Sequence, residues 1–486
     1  MQLLLINPRN PLVNITNRNN YWNKYRVWKP LGLLVLAGLT PPEWKVTIID
    51  ENVDTPDYLK LPRPDLVGIT AFTSQAPRAY EVAAVFRGLG VPVAMGGIHA
   101  TMRHEEAAQR VDVVVTGEAE SVWAQVLKDA VHRTLQPLYA GGQEGMENTP
   151  LARHDLLPTG YQLGAIQTTR GCPLNCSFCS VSTFNGRTYR HRAVDAVVAE
   201  FRTIREKVVL VVDDNLIGTR LDHIARAKDL FRAMIKARLK KQWICQATIN
   251  MADDEELLRL ARRAGCAGVF IGFESASEAG LIEVHKKYNL QKARDFRKSV
   301  RRIQRHNITV AGSFIMGLDV DRPGIGREIA DAANRYGVDV LNAMILTPLP
   351  GTALWQKMEE EGRIIADQFP EHWKYYTLTL PVGRYRNFSQ EEIMGEIDAC
   401  TRRFYSLRGI VRRVARNTWK WNRPVLTLVA NLTYRTNHGR SRKISEEFKR
   451  VCDRLRPGDL LPATGENLHV RAPALAMIDA RTSPRR

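Results

Sequence analysis

The sequence from 168 to 179 reads Thr168-Thr169-Arg170-Gly171-Cys172-Pro173-Leu174-Asn175-Cys176-Ser177-Phe178-Cys179. Its cysteines have a C-x3-C-x2-C spacing, which confines three thiols to one short loop. Thiolates are the usual ligands of iron–sulfur clusters, and a four-iron cluster is normally held by four of them. Three close cysteines without an obvious fourth therefore indicate a cluster with one iron open to a small molecule.

The same cysteines could instead form a structural zinc site or be three unrelated buried thiols. Zinc takes four ligands, often supplied as two spaced pairs, and no second Cys or His pair follows at such spacing. Seven cysteines in 486 residues are too few for a disulfide scaffold, which favours an intracellular enzyme. The four cysteines outside the loop are scattered singly and are predicted to be structural: Cys245, Cys266, Cys400 and Cys452.

With Phe178 before its last cysteine and a Gly and a Pro around its first, the loop resembles that of the radical S-adenosylmethionine (SAM) superfamily. The resemblance implies that Cys172, Cys176 and Cys179 hold a [4Fe–4S] cluster whose open iron is chelated by SAM. It implies that Phe178 packs near the cluster and the adenine. It further implies reductive cleavage of SAM to a 5′-deoxyadenosyl radical, with an external one-electron reductant such as flavodoxin or ferredoxin.

The first part of the chain alternates short apolar runs with helical stretches. Such alternation predicts βαβ units and a Rossmann-like parallel sheet. The predicted strands are 3–7, 44–50, 66–70, 92–95 and 111–116, and the predicted helices are 31–39, 77–89 and 121–130. Ligands of such sheets bind outside the carboxyl ends of the strands.

Loops after three of these strands carry glycine and polar residues, including G-G-x-H-A at 96–100 and T-G-E-x-E at 116–120. Together they resemble the cobalamin-binding domain that precedes many radical SAM barrels. The alternative is a flavodoxin-like domain that binds nothing. The residues that the resemblance implies for cobalamin binding are Thr70, Thr73, Gly96, Gly97, His99, Thr116, Gly117 and Glu118.

The D-x-H-x-x-G motif, whose His supplies the lower cobalt ligand in many cobalamin domains, is absent from the sequence. The resemblance therefore implies base-off cobalamin without a protein His ligand, or lost binding. His99 and His104 are not favoured as ligands, since a histidine in a polar loop more often serves as a hydrogen-bonding group.

Strand–helix alternation resumes after a polar stretch. The predicted strands are 165–169, 208–212, 242–249, 268–272, 308–316 and 338–346, and the helices between them include 193–205, 221–237 and 254–264. Six strands each followed by a helix predict a partial (β/α)6 barrel, the core of the radical SAM superfamily. Chemistry in such barrels gathers at the carboxyl ends of the strands, and the three cysteines follow the first strand.

Further motifs lie at the strand ends of the barrel. Asp213, Asp214 and Asn215 follow the second strand, where the superfamily carries a motif that meets the amino group of SAM, although such a run also suits an ordinary turn. Gln246 in the third strand and Glu274 at the end of the fourth are further SAM-binding candidates. The L-T-P-x-P-G-T turn at 346–352 and the Y-R-x-R run at 189–192 resemble the same cobalamin-linked group. No catalytic side chain is assigned from the sequence.

The predicted domains are a cobalamin-binding domain at 1–140, a linker at 141–160, the partial barrel at 161–385 and a mostly helical basic region at 386–486. From 402 to 456, sixteen Lys and Arg face three acids, within a chain of net charge +19. This region suits a solvated cap, an anionic membrane surface or RNA, of which nucleic acid is the least favoured. The first residues lack a signal peptide's basic start, so the expected location is the cytoplasm, with peripheral contact on the inner membrane as an extension.

Taken together, the two halves resemble class B cobalamin-dependent radical SAM methyltransferases. The resemblance implies methylation of an unactivated carbon in a small-molecule or lipid-like substrate. The alternative within the same architecture is cyclisation, oxidation or rearrangement without methyl transfer, as in the anaerobic cyclase. A methylthiotransferase is nearly excluded, because no cysteine precedes Cys172. A non-enzymatic cofactor sensor would require an inactive cluster loop, and nothing in this loop is missing.

Overall fold

The computed structural model describes residues 1–12, 28–292, 295–417, 423–441 and 446–453. The chain up to Ile444 forms one compact unit, which holds two parallel six-stranded sheets. The residues from Ser445 onward form a second unit.

The first sheet has the strand order β2-β1-β3-β4-β5-β6, and all neighbouring strands are parallel. This order is that of flavodoxin-like folds, in which the chain reverses direction across the sheet between β1 and β3 and opens a crevice there. The strands are β1 (Gln2–Asn7), β2 (Lys45–Asp50), β3 (Leu66–Thr70), β4 (Val93–Gly96), β5 (Val113–Thr116) and β6 (Leu138–Ala140).

Helices cover this sheet and bury its apolar strands. The helix α1 is apolar throughout and places Leu33 and Leu34 in the same core as Leu3 and Leu5 of β1. Burying each such side chain stabilises the fold by about 1.5–3 kcal/mol. The helices are α1 (Leu31–Leu39), α2 (Ala76–Gly88), α3 (Ile98–Met102), α4 (His104–Ala108) and α5 (Trp123–His132).

The second sheet has its parallel strands in the order β14-β13-β12-β11-β10-β7, which is sequence order apart from a small hairpin. The strands are β7 (Leu163–Ile166), β10 (Val208–Val211), β11 (Gln242–Gln246), β12 (Cys266–Glu274), β13 (Thr309–Met316) and β14 (Val340–Ile345). The antiparallel hairpin consists of β8 (Thr169–Arg170) and β9 (Arg190–His191). A parallel sheet wound in sequence order with helices between its strands is a partial (β/α)6 barrel.

The helices of the barrel pack on one face of this sheet. Trp243 and Cys245 of β11 point into that helix-facing core with Phe201 and Phe231. The helices are α6 (Ser180–Phe184), α7 (Val194–Thr203), α8 (Leu221–Lys236), α9 (Glu255–Arg263), α10 (Glu278–Glu283), α11 (Lys287–Lys292), α12 (Phe296–Arg305), α13 (Ile325–Tyr336) and α14 (Ala353–Glu360).

The C-terminal region is mostly helical where the structure describes it. Its helices are α15 (Gln390–Phe404), α16 (Leu407–Arg416), α17 (Arg423–Ser441) and, in the second unit, α18 (Glu446–Asp453). Ser389 begins α15 with a capping box, in which its hydroxyl and the Glu392 carboxylate each accept a backbone N–H of the other residue. None of the described helices has both the length and the apolar character that a membrane span requires.

The predicted fold class is confirmed, and the differences lie at the ends of elements and in short elements that were not predicted. The strand predicted at 165–169 was wrong in its bounds, because β7 ends at Ile166 and Thr169 belongs to the hairpin strand β8. The strand predicted at 242–249 ends at Gln246, since a short 3-10 helix begins at Ile249. The strand β6 was not predicted, because three residues are too few to show a pattern.

Candidate active site

The three cysteines of the loop after β7 lie close enough to influence one another. Burial, with smaller contributions from the Glu274 carboxylate and the neighbouring Cys179 and Cys172 thiols, raises the pKa of the Cys176 thiol to about 12, although the charge of Lys286 opposes this rise. All three side chains are half-buried, so the loop leaves them accessible to a ligand. Within the described parts of the chain, no group of three His, Cys, Asp or Glu side chains has an arrangement that could hold a single metal ion. A four-iron cluster binds each thiolate through a different iron, and the donor set fits such a cluster.

A buried ion pair lies beside these thiols. Lys286 Nζ contacts Glu274 Oε1 at 3.0 Å, and both side chains are more than nine-tenths buried. Burial lowers the pKa of Lys286, but Glu274 and the thiols of Cys176 and Cys172 more than offset this and raise it above its ordinary value. Glu274, at the end of β12, has a φ of +66°, a conformation that costs a non-glycine residue energy and is common at functional sites. The pair therefore places the Lys286 ammonium close enough to influence all three thiols of the loop.

The acidic run after β10 is bound to the cysteine loop. The Asp213 carboxylate accepts hydrogen bonds from Thr168 N at 2.5 Å, Thr168 Oγ1 at 2.6 Å and Thr169 Oγ1 at 2.9 Å. Asp214 accepts from the backbone N–H of Gly171 at 2.9 Å. Burial raises the pKa of both carboxyls. These acids hold the start of the loop in place, and the role in SAM binding predicted for them stays a prediction.

Other SAM-binding candidates occupy the carboxyl ends of the barrel strands. Asn215 is buried. Burial raises the pKa of the Cys172 thiol, and a hydrogen bond from Asn215 opposes part of that rise. Gln246 is exposed at the end of β11, on the opposite face of that strand from Trp243 and Cys245 in the helix-facing core. Strand side chains alternate between faces, so Gln246 lies on the inner face of the barrel. Phe178 is partly buried against the barrel core.

The residues predicted to bind cobalamin line the carboxyl edge of the first sheet. Gly97 has a φ of +90°, and a Cβ there would lie 2.7 Å from Thr70 Oγ1, so only glycine allows the loops after β3 and β4 to touch. Gly117 has a φ of +66° and is equally closed, against Gly141 O. The Phe72 ring is 63% exposed at this edge. An edge with bare backbone and an exposed ring suits a large planar ligand such as a corrin.

Of the remaining cobalamin-binding candidates in these loops, two are partly buried and two are buried. Thr116 and Gly96 end their strands partly buried, and Thr73 is buried at the start of a 3-10 helix. Glu118 is buried in the loop after β5, where its carboxylate accepts hydrogen bonds from Arg170 and Arg190.

His99 belongs to a buried polar cluster at the same edge. Its Nε2 lies 2.9 Å from Tyr80 Oη, and Glu106 accepts hydrogen bonds from Tyr80 at 2.9 Å and from Trp373 Nε1 at 3.0 Å. Burial lowers the pKa of His99, which favours the neutral ring. Trp373 lies in a 3-10 helix, Glu371–Tyr375, which we call the return helix because it follows the last barrel helix, α14, yet contacts the first domain. His99 is wholly buried, and its Nδ1 has no hydrogen-bond partner within the described residues.

Sequence reasoning missed Lys286, the return helix and the pairing of Arg170 with Glu118. Lys286 lies in no recognised motif, and only folding brings it beside cysteines more than a hundred residues earlier in the chain. The Y-R-x-R run singled out Arg190, and the structure shows that this side chain contacts a carboxylate, that of Glu118.

Comparison with known proteins agrees with this arrangement of two domains. A B12 binding domain model matches residues 24–127, and a Radical SAM superfamily model matches residues 166–333. An uncharacterized methyltransferase of Pyrococcus horikoshii is 30% identical over 402 residues, 75% of this chain and 85% of the relative. Hopanoid C-2 methylase of Rhodopseudomonas palustris is 28% identical, over 70% of this chain and 66% of the relative. Bacteriochlorophyllide d C-12(1)-methyltransferase of Chlorobaculum tepidum is 27% identical, over 81% and 86% respectively.

A more distant relative is the anaerobic magnesium-protoporphyrin IX monomethyl ester cyclase of Cereibacter sphaeroides, 25% identical over 79% of this chain and 70% of the relative. Among solved structures, the cobalamin-dependent SAM radical enzyme OxsB with aqua-cobalamin and SAM bound shares the fold. It has a TM-score of 0.65 at 16% identity, covering 93% of this chain and 75% of that one. The chain therefore belongs to the cobalamin-binding radical SAM enzymes, whose cofactors are a [4Fe–4S] cluster, SAM and cobalamin.

Proposed function

We propose that this protein is a methyltransferase that transfers a methyl group to an unactivated carbon of an apolar small-molecule or lipid-like substrate. The observation that carries the proposal is the alignment, across both domains, with relatives named as methyltransferases. The substrates in the names of two of these relatives, a hopanoid and a bacteriochlorophyllide, are large apolar polycyclic molecules. The substrate class proposed here is therefore a polycyclic lipid or a tetrapyrrole.

The residues of the site divide the work between the two sheets. When bound, the cluster and SAM supply a radical that removes a hydrogen atom from the substrate, and cobalamin supplies the methyl group. In the proposal Cys172, Cys176 and Cys179 hold the cluster, and Glu274 and Asn215 orient SAM beside it. The loops after β3, β4 and β5 hold cobalamin at the edge of the first sheet. The protein thus contributes binding, orientation and exclusion of water.

The test follows the methyl group of SAM. Cluster-reconstituted protein with cobalamin is incubated under reducing, anaerobic conditions with methyl-labelled SAM and a panel of polycyclic lipids and tetrapyrroles. We expect a labelled product, with S-adenosylhomocysteine and 5′-deoxyadenosine released in near-equal amounts. A variant with all three loop cysteines replaced by Ala is the control, and it should release no 5′-deoxyadenosine.

The second candidate function is cyclisation, oxidation or rearrangement without methyl transfer. It is favoured by the similarity to the anaerobic ester cyclase, which covers most of both chains. In the same experiment this function would give a product that carries no label. That result would overturn methyl transfer and establish the second candidate.

We further propose that an external one-electron donor, such as a flavodoxin or ferredoxin, reduces the cluster.

We also propose that α16 contacts an anionic membrane surface. Leu407 and Val411 on α16 are 64% and 66% exposed, and Arg408 and Arg412 beside them are exposed as well. These four residues, which we call the α16 stripe, recur at helical spacing. Exposed apolar side chains next to arginines favour the boundary between water and anionic lipid headgroups. Such contact would bring the site to an apolar substrate.

A further inference from the structure

The cysteine loop leaves and re-enters the barrel through a narrow neck formed by the hairpin strands β8 and β9. Arg170 and Arg190 are opposite each other across this hairpin. Cys172 N donates to Gly186 O at 3.2 Å. A Cβ at Gly171 would lie 2.0 Å from Thr188 O, so the backbones on the two sides of the neck are in contact. The start and the end of the cysteine loop are therefore held to each other at the neck, which ties the position of the loop to that of the neck.

A single carboxylate of the first domain binds both arginines of the neck. Glu118 Oε2 accepts from Arg170 Nη1 at 3.1 Å and from Arg190 Nη1 at 2.9 Å, and Arg190 Nη2 donates to Glu118 Oε1. Arg170 also pairs with Glu120 in the same loop after β5. We call the side chains of Glu118, Arg170 and Arg190 the neck clamp.

The side chains of the neck clamp are largely buried, so their ion pairs can hold the two loops in a fixed geometry. Glu118 retains 6% of its side-chain exposure, and each arginine retains 12%. Exposed ion pairs contribute little, but removing one member of a buried pair leaves an uncompensated charge. The planar guanidinium groups also fix direction, because their donors have a rigid arrangement. Arg190 also donates to the backbone carbonyls of Glu144 and Asn185, at 2.6 and 2.9 Å.

The loop that carries Glu118 belongs to the edge of the first sheet at which cobalamin is proposed to bind. Thr116 and Gly117 immediately precede Glu118, and Gly117 N is held by Thr101 Oγ1 at 3.0 Å. The clamp therefore joins the cobalamin edge of one sheet to the cluster loop of the other by three side chains.

We propose that Glu118 is a positioning residue that sets the separation between SAM at the cluster and cobalamin at the first sheet. This inference rests on the proposed function, since the separation matters only if a methyl group passes from one cofactor to the other. Glu118 was a candidate cobalamin ligand from the sequence. In this inference its carboxylate instead acts through the two arginines.

The experiment compares two reactions of SAM in one protein, and neither needs the unknown substrate. Wild type and Glu118→Gln, each reconstituted with cluster and cobalamin, are reduced with titanium(III) citrate in the presence of methyl-labelled SAM. The first reaction measured is release of 5′-deoxyadenosine, which depends on the cluster and SAM alone. The second is label retained on the bound cobalamin, with S-adenosylhomocysteine released in equal amount. We expect the second reaction to fall by about 10²-fold, the cost of roughly 1 Å of misplacement, while the first changes little.

A second readout uses protein without cofactors. Hydrogen–deuterium exchange of residues 171–189 should be faster in Glu118→Gln than in wild type, because the neck loses its anchor. Glu51→Gln is the matched control. Glu51 is a buried carboxylate paired with Arg78 at 2.7 Å, and both residues lie within the first domain. The control should leave the exchange of residues 171–189 and the ratio of the two reactions unchanged.

Several results would overturn the inference. If both reactions proceed in Glu118→Gln as in wild type, Glu118 does not position the cofactors. If both reactions fall together with the iron content, the role of Glu118 is purely structural. Unchanged exchange of residues 171–189 would also contradict it.

A double-mutant cycle adds a further expected result. Glu118→Gln combined with Arg190→Gln should be no worse than the single variants, because the two side chains act as one unit. Failure of wild type to place label on cobalamin would count against the proposed function, and the exchange readout would still decide the clamp.

Discussion

At the scale of single residues, the candidate cluster site contains a buried ion pair beside the thiols of the cysteine loop. The Lys286–Glu274 pair is more than nine-tenths buried, and Lys286 also faces the thiols of Cys172 and Cys176. A buried cation stabilises the thiolates and any negative charge that a cluster acquires on reduction. The pair thus links the loop after β7 to the end of β12.

Replacing Lys286 by Gln removes this cation and leaves the Glu274 carboxylate buried without its partner. We expect a loss of about 3–5 kcal/mol in stability, a lower yield of cluster, and a more negative midpoint potential for whatever cluster forms. The potential is measured by redox titration followed by EPR. Lys286→Arg, which keeps the charge, is the control and should retain a potential near that of wild type. An unchanged potential in Lys286→Gln would show that the cation does not act on the cluster.

His99 is the histidine in the loop that resembles a cobalamin site, yet it is wholly buried against Tyr80 and Trp373. We expect His99→Ala to leave the absorption and EPR spectra of bound cobalamin unchanged, because Tyr80, Glu106 and Trp373 enclose the ring and the sequence predicts base-off cobalamin without a protein His ligand. The variant should still lose about 1–3 kcal/mol, since Tyr80 and Glu106 lose a buried hydrogen-bonding neighbour. A nitrogen superhyperfine signal that is present in wild type and vanishes in His99→Ala would contradict this.

At the scale of elements, local patterns predicted the sheets and missed the contacts between distant loops. The cysteine spacing and the apolar runs are properties of neighbouring residues. The helix Leu31–Leu39 and the strand Leu66–Thr70 therefore have the bounds that the sequence predicted. The hairpin of Thr169–Arg170 with Arg190–His191 could not be predicted, because two-residue strands carry no periodicity and their pairing depends on the loop between them. The contacts of Glu118 could not be predicted either, because its partners Arg170 and Arg190 are distant in the sequence and lie in another domain.

The turn after β13 contains an acid whose ionisation opposes folding. Asp321 accepts from the backbone N–H groups of Gly317 and Leu318 at 3.0 Å each, and burial raises its pKa from 3.8 to about 7. Because the folded-state pKa is raised, the stability that this group contributes is complete below about pH 4 and is lost as the pH rises towards 7. The lost stability amounts to about 1.4 kcal/mol for each pH unit in that window.

The prediction is made for Asp321→Asn, which cannot ionise. The free energy of unfolding of wild type minus that of the variant should fall steadily from pH 4 to pH 7, measured by urea unfolding of the protein without cofactors. Asp331→Asn, at a partly exposed carboxylate paired with Arg403, is the control. A difference between wild type and Asp321→Asn that does not vary with pH would show that Asp321 titrates normally.

At the scale of the whole molecule, charge and exposed apolar groups meet on the C-terminal helices. The net charge of +19 gives the protein long-range attraction for anionic partners. Not every arginine of this region contributes to the surface. Arg413 is buried, lies 3.8 Å from the Phe404 ring centroid and donates to Asn431 and the Phe404 carbonyl. The α16 stripe is the part that combines exposed charge with exposed apolar side chains.

Vesicle flotation tests the α16 stripe. Wild type should float with phosphatidylglycerol vesicles at low salt and less at high salt. Arg408→Gln with Arg412→Gln should weaken the partition by about 2 kcal/mol, roughly 30-fold, and Leu407→Ser with Val411→Ser should weaken it at both salt concentrations. Leu59→Ser, at a residue of the first domain that is 70% exposed, is the matched control and should not change flotation. Equal flotation of all four proteins would exclude α16 as the contact.

The return helix has a consequence for anyone who recombines this protein with its relatives. Trp373 donates to Glu106 at 3.0 Å, and the Lys374 carbonyl accepts from Asn10 at 3.2 Å, so a segment that follows the last barrel helix in sequence completes the first domain in space. A chimaera joined at the linker, with one parent's first domain and the other's barrel, would pair Glu106 with a foreign partner. Exchanging Glu371–Tyr375 together with the first domain should restore expression and cobalamin retention. The unit that can be inherited or transplanted is therefore discontinuous in the sequence.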